Sequence, residues 1–324
     1  MSVSADVARP GFDHEALVYS GSADFLAGTV PFITDGLDAD EPVLVALPRV
    51  RVRLLREALG DRAADVAFLE MEDIGRNPAC IIPAWRAFLD ERPVDGRPVR
   101  GIGEPIWAAR SSAELDECHL HESLLNEAFH DTPAFTLLCP YDTTTLDPAV
   151  VEEARRTHPV LLSQGSRAAS SLYAAVDVRE ARFRAALPEP ATTVVEISIV
   201  GTRLPRDLRG FRRRVAQHGA DCNLSQLRIE DLVLVVDELI VNAVRHGGGN
   251  GSLRMWRDGD AAVCEVRDTG AALNNAMAGR VNPGHVGTGG RGLWIVNQIC
   301  DLVQIRSTGD GTVVRVQVAG ETAA

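Results

Sequence analysis

The sequence contains no lysine; all 33 of its cationic residues are arginine. That absence removes a phosphate-loop lysine, the strand lysine of protein kinases and any Schiff-base chemistry. Cysteine is sparse, and Cys80, Cys118, Cys139, Cys222, Cys264 and Cys300 are dispersed without a C-x-x-C pair. Such a pattern fits reduced, mostly buried thiols rather than a disulfide framework or a zinc ribbon. Cys118, His121 and Glu122 share one helical face in "ECHLHESLLNEAF". The trio could ligate a metal, but one face supplies few ligands, and a packed thiol with polar neighbours is the plainer reading.

No apolar run approaches the roughly 18 residues needed to cross a bilayer. The opening "MSVSADVARPGFDHE" also lacks the apolar stretch of a secretory signal. The sequence therefore predicts a soluble, cytoplasmic protein. A net charge of -12 argues against direct nucleic-acid binding, which needs clustered cations. One basic cluster, "LRGFRRRVAQH" at 208–218, could meet an acidic protein.

What is present is a globular composition, with 45% hydrophobic and 24% charged residues over 324 positions, a length that suits two domains. In the first part, the short apolar runs "ALVYS", "PVLVALP", "DVAFLEM", "PVRGIGEP" and "FTLLCPYD" alternate with helical patterns. That alternation predicts an α/β domain with a parallel, doubly wound sheet over residues 1–160. Residues 161–191 are expected as a helical connector. From 192 to 324 the pattern changes to strands joined by Gly-containing turns, such as Asp258-Gly259-Asp260, interspersed with helices. This predicts an α/β sandwich with a mixed or antiparallel sheet.

Three features of the second domain belong together. In "DELIVNAVRHGGG", residues 237–249, Leu232, Val236, Leu239 and Ala243 make the apolar stripe of a helix beginning near Ser225, while Glu238 and Asn242 lie four apart beside it. "VRDTG" is an Asp-x-Gly turn in which Asp268 can accept from an exocyclic amine and Gly270 lets a ring approach the backbone. "GTGGRGLWIVNQI" places Gly287, Gly289, Gly290 and Gly292 at the mouth of a helix, where free N–H groups and the helix dipole favour phosphate. Each feature alone is weak; their order and spacing supply the parts of an adenine-nucleotide site.

On those motifs, residues 192–318 resemble the ATP-binding domain shared by gyrase, a heat-shock chaperone, histidine kinases and mismatch-repair ATPases, in the branch of bacterial anti-sigma-factor serine kinases. By that resemblance Asn242 would hold Mg²⁺ on the phosphates and Asp268 would bind the adenine amine. Gly289, Gly290, Arg291 and Gly292 would line the phosphates, Thr312 would help hold adenine, and Glu238 would be the catalytic base. Residues 271–288 would form the ATP lid. Magnesium keeps most of its waters, so an asparagine carbonyl plus phosphate oxygens is an adequate site.

The resemblance implies an ATP- and Mg-dependent protein serine/threonine kinase acting on a STAS-type anti-anti-sigma protein and sequestering a sigma factor. A nucleotide-gated binding switch and an unconventional histidine kinase remain as alternatives. The phosphoacceptor histidine that a sensor kinase needs is missing, since His158 precedes Pro159 at a helix end.

Residues 10–159 resemble the MEDS sensory domain through "HEALVYS", "FLAGTVPFITDGL", "GRNPACIIPAWRAFLDE", "RGIGEPIW", "HESLLNEAF" and "CPYDT". The resemblance implies a RecA-like sheet, here without the phosphate loop. Open parallel sheets bind ligands at the carboxyl ends of their strands. Glu104, Trp107, Tyr141 and Asp142 are therefore the candidates for a small-molecule pocket, with His14 and Glu122 placed beside them and turn-capping as the competing role for Glu104 and Asp142. A homodimer is left open.

Overall fold

Each of the five apolar runs of the first part becomes a strand in the computed structural model, which describes residues 11–91, 96–284 and 290–320, with backbone alone for 203–206. The chain divides into two units, Met1–Arg179 and Glu180–Ala324.

The first unit runs β1 (Phe12–Tyr19), α1 (Gly21–Asp38), β2 (Val43–Leu47), α2 (Arg49–Leu59), β3 (Ala67–Glu70), α3 (Met71–Ile74), α4 (Ile81–Asp90), β4 (Val99–Gly103), α5 (Ser112–Ala128), β5 (Phe135–Asp142) and α6 (Pro148–Thr157). Strands β2, β4 and β5 are near-continuous buried runs, as expected when helices cover both faces of a parallel sheet. Local chemistry sets the helix starts. Ser111 and Glu114 form a capping box on α5, and Asp147 accepts from Ala149 N–H ahead of Pro148 at the start of α6.

The segment expected as a helical connector departs from that expectation. Its first half is a hairpin, β6 (Val160–Ser163) and β7 (Ser166–Ala169), turned by Gln164 and Gly165 with positive φ, and only then comes α7 (Ala175–Arg184). Strand β6 pairs parallel to β1, giving the sheet order β3-β2-β4-β5-β1-β6-β7, parallel except for the last pair. An available edge on β1 outweighed the helical propensity of the short alanine-rich run.

The second unit comprises β8 (Val195–Val200), α8 (Leu204–Asp221), α9 (Gln226–His246), β9 (Asn250–Asp258), β10 (Ala261–Asp268), α10 (Arg291–Ile299), β11 (Leu302–Thr308) and β12 (Gly311–Ala319). Its sheet is antiparallel throughout, in the order β11-β12-β10-β9-β8. Ala262, Cys264 and Val266 of β10 join Leu232, Val236, Leu239 and Ala243 of α9 in one core.

The alternate residues of the same strands face the other way. There the fully buried Glu265 carries Arg254, Arg267 and Arg315, and Glu189 closes the network from outside by binding Arg254 and Arg267. A carboxylate can accept from more than one guanidinium, which lets these two glutamates hold three arginines on this face.

Candidate functional site

In the second unit, Ser225 caps α9 by accepting from Arg228 N–H, and the buried stripe of α9 leaves Glu238 and Asn242 half-buried at its side. Helix α10 begins after Gly290, whose φ of 85° is left-handed. Its first turn runs against that pair: a Cβ on Gly292 would stand 2.8 Å from Glu238 Oε2 and 3.1 Å from Asn242 Nδ2. With these side chains so placed, a glycine leaves room for the open N–H groups of α10 to come this near.

The Asp-x-Gly turn is fixed just as closely. Asp268 Oδ1 accepts from Gly270 N–H at 3.0 Å and Thr312 N–H at 3.3 Å, leaving Oδ2 as the oxygen that can accept from a base. Glycines allow this too, since a Cβ on Gly247 would lie 2.3 Å from Asp268 Cγ and one on Gly311 2.0 Å from Asp268 O.

The structure thus assembles two groups: Glu238, Asn242 and Gly292, and Asp268, Gly270 and Thr312. Arg291 is exposed beside them at the start of α10, while Gly289 and Gly287 lie outside the described residues. In the loop expected as a lid, Leu273 and Ala276 pack on the core, and Asn297 Nδ2 donates to Gly279 O at 2.8 Å. Residues 285–288 of that loop are likewise outside the described residues.

In the first unit the six candidates do not form one pocket; strand parity divides them. Tyr19 and Asp142 pair at the carboxyl ends of β1 and β5 on one face of the sheet. There Tyr19 Oη donates to Glu104 Oε1 at 3.2 Å, and Arg51 of α2 binds Asp142 at 2.8 Å while lying 5.3 Å over the Tyr19 ring. Burial, opposed by Arg51 and by the Tyr19 hydroxyl, pushes the Glu104 carboxyl up to about 8. Trp107 stacks under Arg110 at 3.8 Å rather than on Tyr19 or Glu104. Asp142 also accepts from Thr144 N–H and Oγ1, so its turn-capping role is real alongside its place in this group.

On the opposite face, one residue out of phase, stand His14 of β1 with Cys139 and Tyr141 of β5. Glu122 of α5 and His158, just past α6, meet them there. His14 Nε2 and His158 Nε2 each lie 3.2 Å from Glu122 Oε2, Cys139 Sγ lies 3.4 Å from His14 Nε2, and the Tyr141 ring packs edge-on to His158 at 5.5 Å. Burial lowers His14 to about 4, assisted by His158 and opposed by Glu122.

Neither Cys118 nor His121 belongs to this cluster. Cys118 donates to Pro105 O at 3.3 Å, so the packed-thiol reading of that helical face holds for it. His158, expected as a mere helix terminus, is fully buried in the cluster. Cys139 and His158 were missed because nothing in their local sequence links them; the period-2 phase of β1 and β5 could have paired Cys139 with His14.

Residues 13–159 match the family model described as MEDS, the methanogen/methylotroph, DcmR sensory domain, and residues 202–318 match the histidine kinase-like ATPase domain. The chain is therefore an α/β protein carrying a MEDS domain followed by a histidine kinase-like ATPase domain. No curated protein matches it. Among solved structures it is similar to the RsbU and RsbW domains of a Mycobacterium tuberculosis protein, at 19% identity and a TM-score of 0.31, over 41% of this chain. The chain spans about a third, 34%, of that structure's length. Among the described residues no helix is long and apolar enough to cross a membrane.

Proposed function

We propose that the second domain binds ATP with Mg²⁺ and transfers phosphate to a serine or threonine of a STAS-type anti-anti-sigma protein, so controlling a sigma factor in the cytoplasm, with the first domain as its sensor. The observation that carries this reading is the contact of the α10 N-terminus with Glu238 and Asn242, because it puts phosphate-type N–H donors beside a carboxylate and an amide. The residues fit the nucleotide: Gly292 leaves the cradle open, and Asp268 has one oxygen anchored and the other able to read an amine.

In this reading Asn242 offers its carbonyl to the metal, and Gly289, Gly290, Arg291 and Gly292 line the phosphates. Asp268, Gly270 and Thr312 hold the base. Bound magnesium would supply charge neutralisation at the phosphates. Glu238 orients or deprotonates the acceptor hydroxyl, since phosphoryl transfer is mainly positioning and charge stabilisation.

Radiolabelled transfer to co-encoded candidate substrates tests the proposal. Glu238→Ala should retain nucleotide binding and lose transfer, because the base acts on the acceptor. Wild-type protein that binds ATP yet phosphorylates none of them would instead make the domain a nucleotide-gated switch.

A further inference from the structure

We infer that the first domain holds a zinc-type transition-metal ion between His14, Glu122, Cys139 and His158, a site independent of the kinase reading.

The hydrogen-bond network determines which ring nitrogens face inward. Asn126 Nδ2 donates to Glu122 O at 3.2 Å and Thr157 O at 2.9 Å, so the amide oxygen is the atom 3.3 Å from His14 Nδ1. That oxygen can only accept, which puts the proton of neutral His14 on Nδ1. His158 Nδ1 lies 2.8 Å from Ala154 O, also an acceptor, and is protonated for the same reason. In their neutral forms both rings therefore turn an Nε2 lone pair inward, and both lone pairs face the same carboxylate oxygen, Glu122 Oε2, at 3.2 Å.

Three acceptors at that spacing repel unless a positive charge lies among them. Consistent with this, both Glu122 oxygens and His158 Nε2 are buried without a hydrogen bond of acceptable geometry. Leaving such groups unmet is costly, and more so for a charge. A bound cation removes that cost.

The spacing matches a tetrahedral ion. Bonds of about 2.0–2.3 Å place neighbouring ligand atoms roughly 3.3–3.6 Å apart. The observed separations of 3.2, 3.2 and 3.4 Å approach those edges, and all four ligand atoms lie within 4.8 Å of one another. Two imidazoles, a carboxylate and a thiolate suit zinc or a neighbouring transition metal, whereas calcium and magnesium demand more oxygen ligands. The Asn126 and Ala154 acceptors are the outer contacts that orient metal-binding histidines. With four protein ligands the coordination sphere is closed, so the ion would pin α5 and the end of α6 to β1 and β5. Formation of the metal–sulfur bond releases the Cys139 proton to solvent.

The test is titration of chelator-treated full-length protein with Zn²⁺ and with Co²⁺. The expected result is a single ion per chain and, with cobalt, a thiolate-to-metal charge-transfer band. Cys139→Ser should abolish that band, and Glu122→Gln should lower zinc affinity on the order of 100-fold. Circular dichroism and thermal unfolding of the full chain report whether each variant is folded; if Glu122→Gln fails to fold, the near-isosteric Cys139→Ser decides. Absence of stoichiometric uptake by wild type, or an unchanged cobalt spectrum in folded Cys139→Ser, overturns the inference.

Discussion

Gly292 in the first turn of α10 approaches Glu238 of α9 so closely that a methyl group on its Cα would stand 2.8 Å from Glu238 Oε2. The distance lies below ordinary van der Waals contact, and Asn242 closes the other side at 3.1 Å. The two helices therefore meet through a glycine for a reason the backbone alone would not reveal, since Gly292 needs space and not an unusual φ.

Gly292→Ala should accordingly turn the Glu238 and Asn242 side-chain ends away from the start of α10 and weaken ATP binding about tenfold or more, in line with about 1–3 kcal/mol for disturbed polar contacts. Calorimetry on wild type and variant reads this directly. Unchanged affinity would mean that the α10 N-terminus does not contact the phosphates.

Asn242→Ala should remove the dependence of nucleotide binding on magnesium, because the substitution deletes the amide carbonyl that would hold the ion. Binding isotherms with and without the metal separate the two proteins. The same magnesium effect in both would assign the ion to other residues.

Asp268→Asn should erode the preference for adenine over guanine. The carboxylate only accepts, whereas an amide can turn a donor toward the base, and the mismatch costs about 1–3 kcal/mol. Competition between ATP and GTP gives the ratio, and a wild type that binds both equally would remove Asp268 as the adenine reader.

Glu104 makes the first domain's stability fall as pH rises. Burial lifts its carboxyl from 4.5 to about 8, so the folded chain holds this proton more tightly than the unfolded chain. The contribution is complete below the ordinary carboxylate value and is lost as pH climbs through the folded one. Thermal unfolding at about pH 5 and about pH 9 should show Glu104→Gln melting higher than wild type only at the alkaline end. Parallel curves for the two proteins would contradict the assignment.

Much of the second domain was legible because its signals are local. Ser225 caps α9, Gly259 turns the β9–β10 hairpin with a φ of 54°, and the stripe from Leu232 to Ala243 is buried as its spacing requires. Glycine spacing also marked Gly270, Gly290 and Gly292, although the part played by Gly247 and Gly311 in fixing Asp268 appears only where separate elements converge.

In the first domain the sequence by itself determined strands β1 to β5, though not the β6–β7 hairpin, and the residues of polar or metal-binding type, since hydrophobic runs and caps act over a few residues. Only the tertiary structure decided which of those residues meet. The parallel register of β1 with β5 put Tyr19 beside Asp142 and set His14 on the same face as Cys139 and Tyr141, and the packing of α5 and α6 onto that second face delivered Glu122 and His158. A strand's own alternation shows that two faces exist, but the layer that covers each face is set by contacts between residues more than a hundred positions apart, as between His14 and Asn126, which no local pattern encodes.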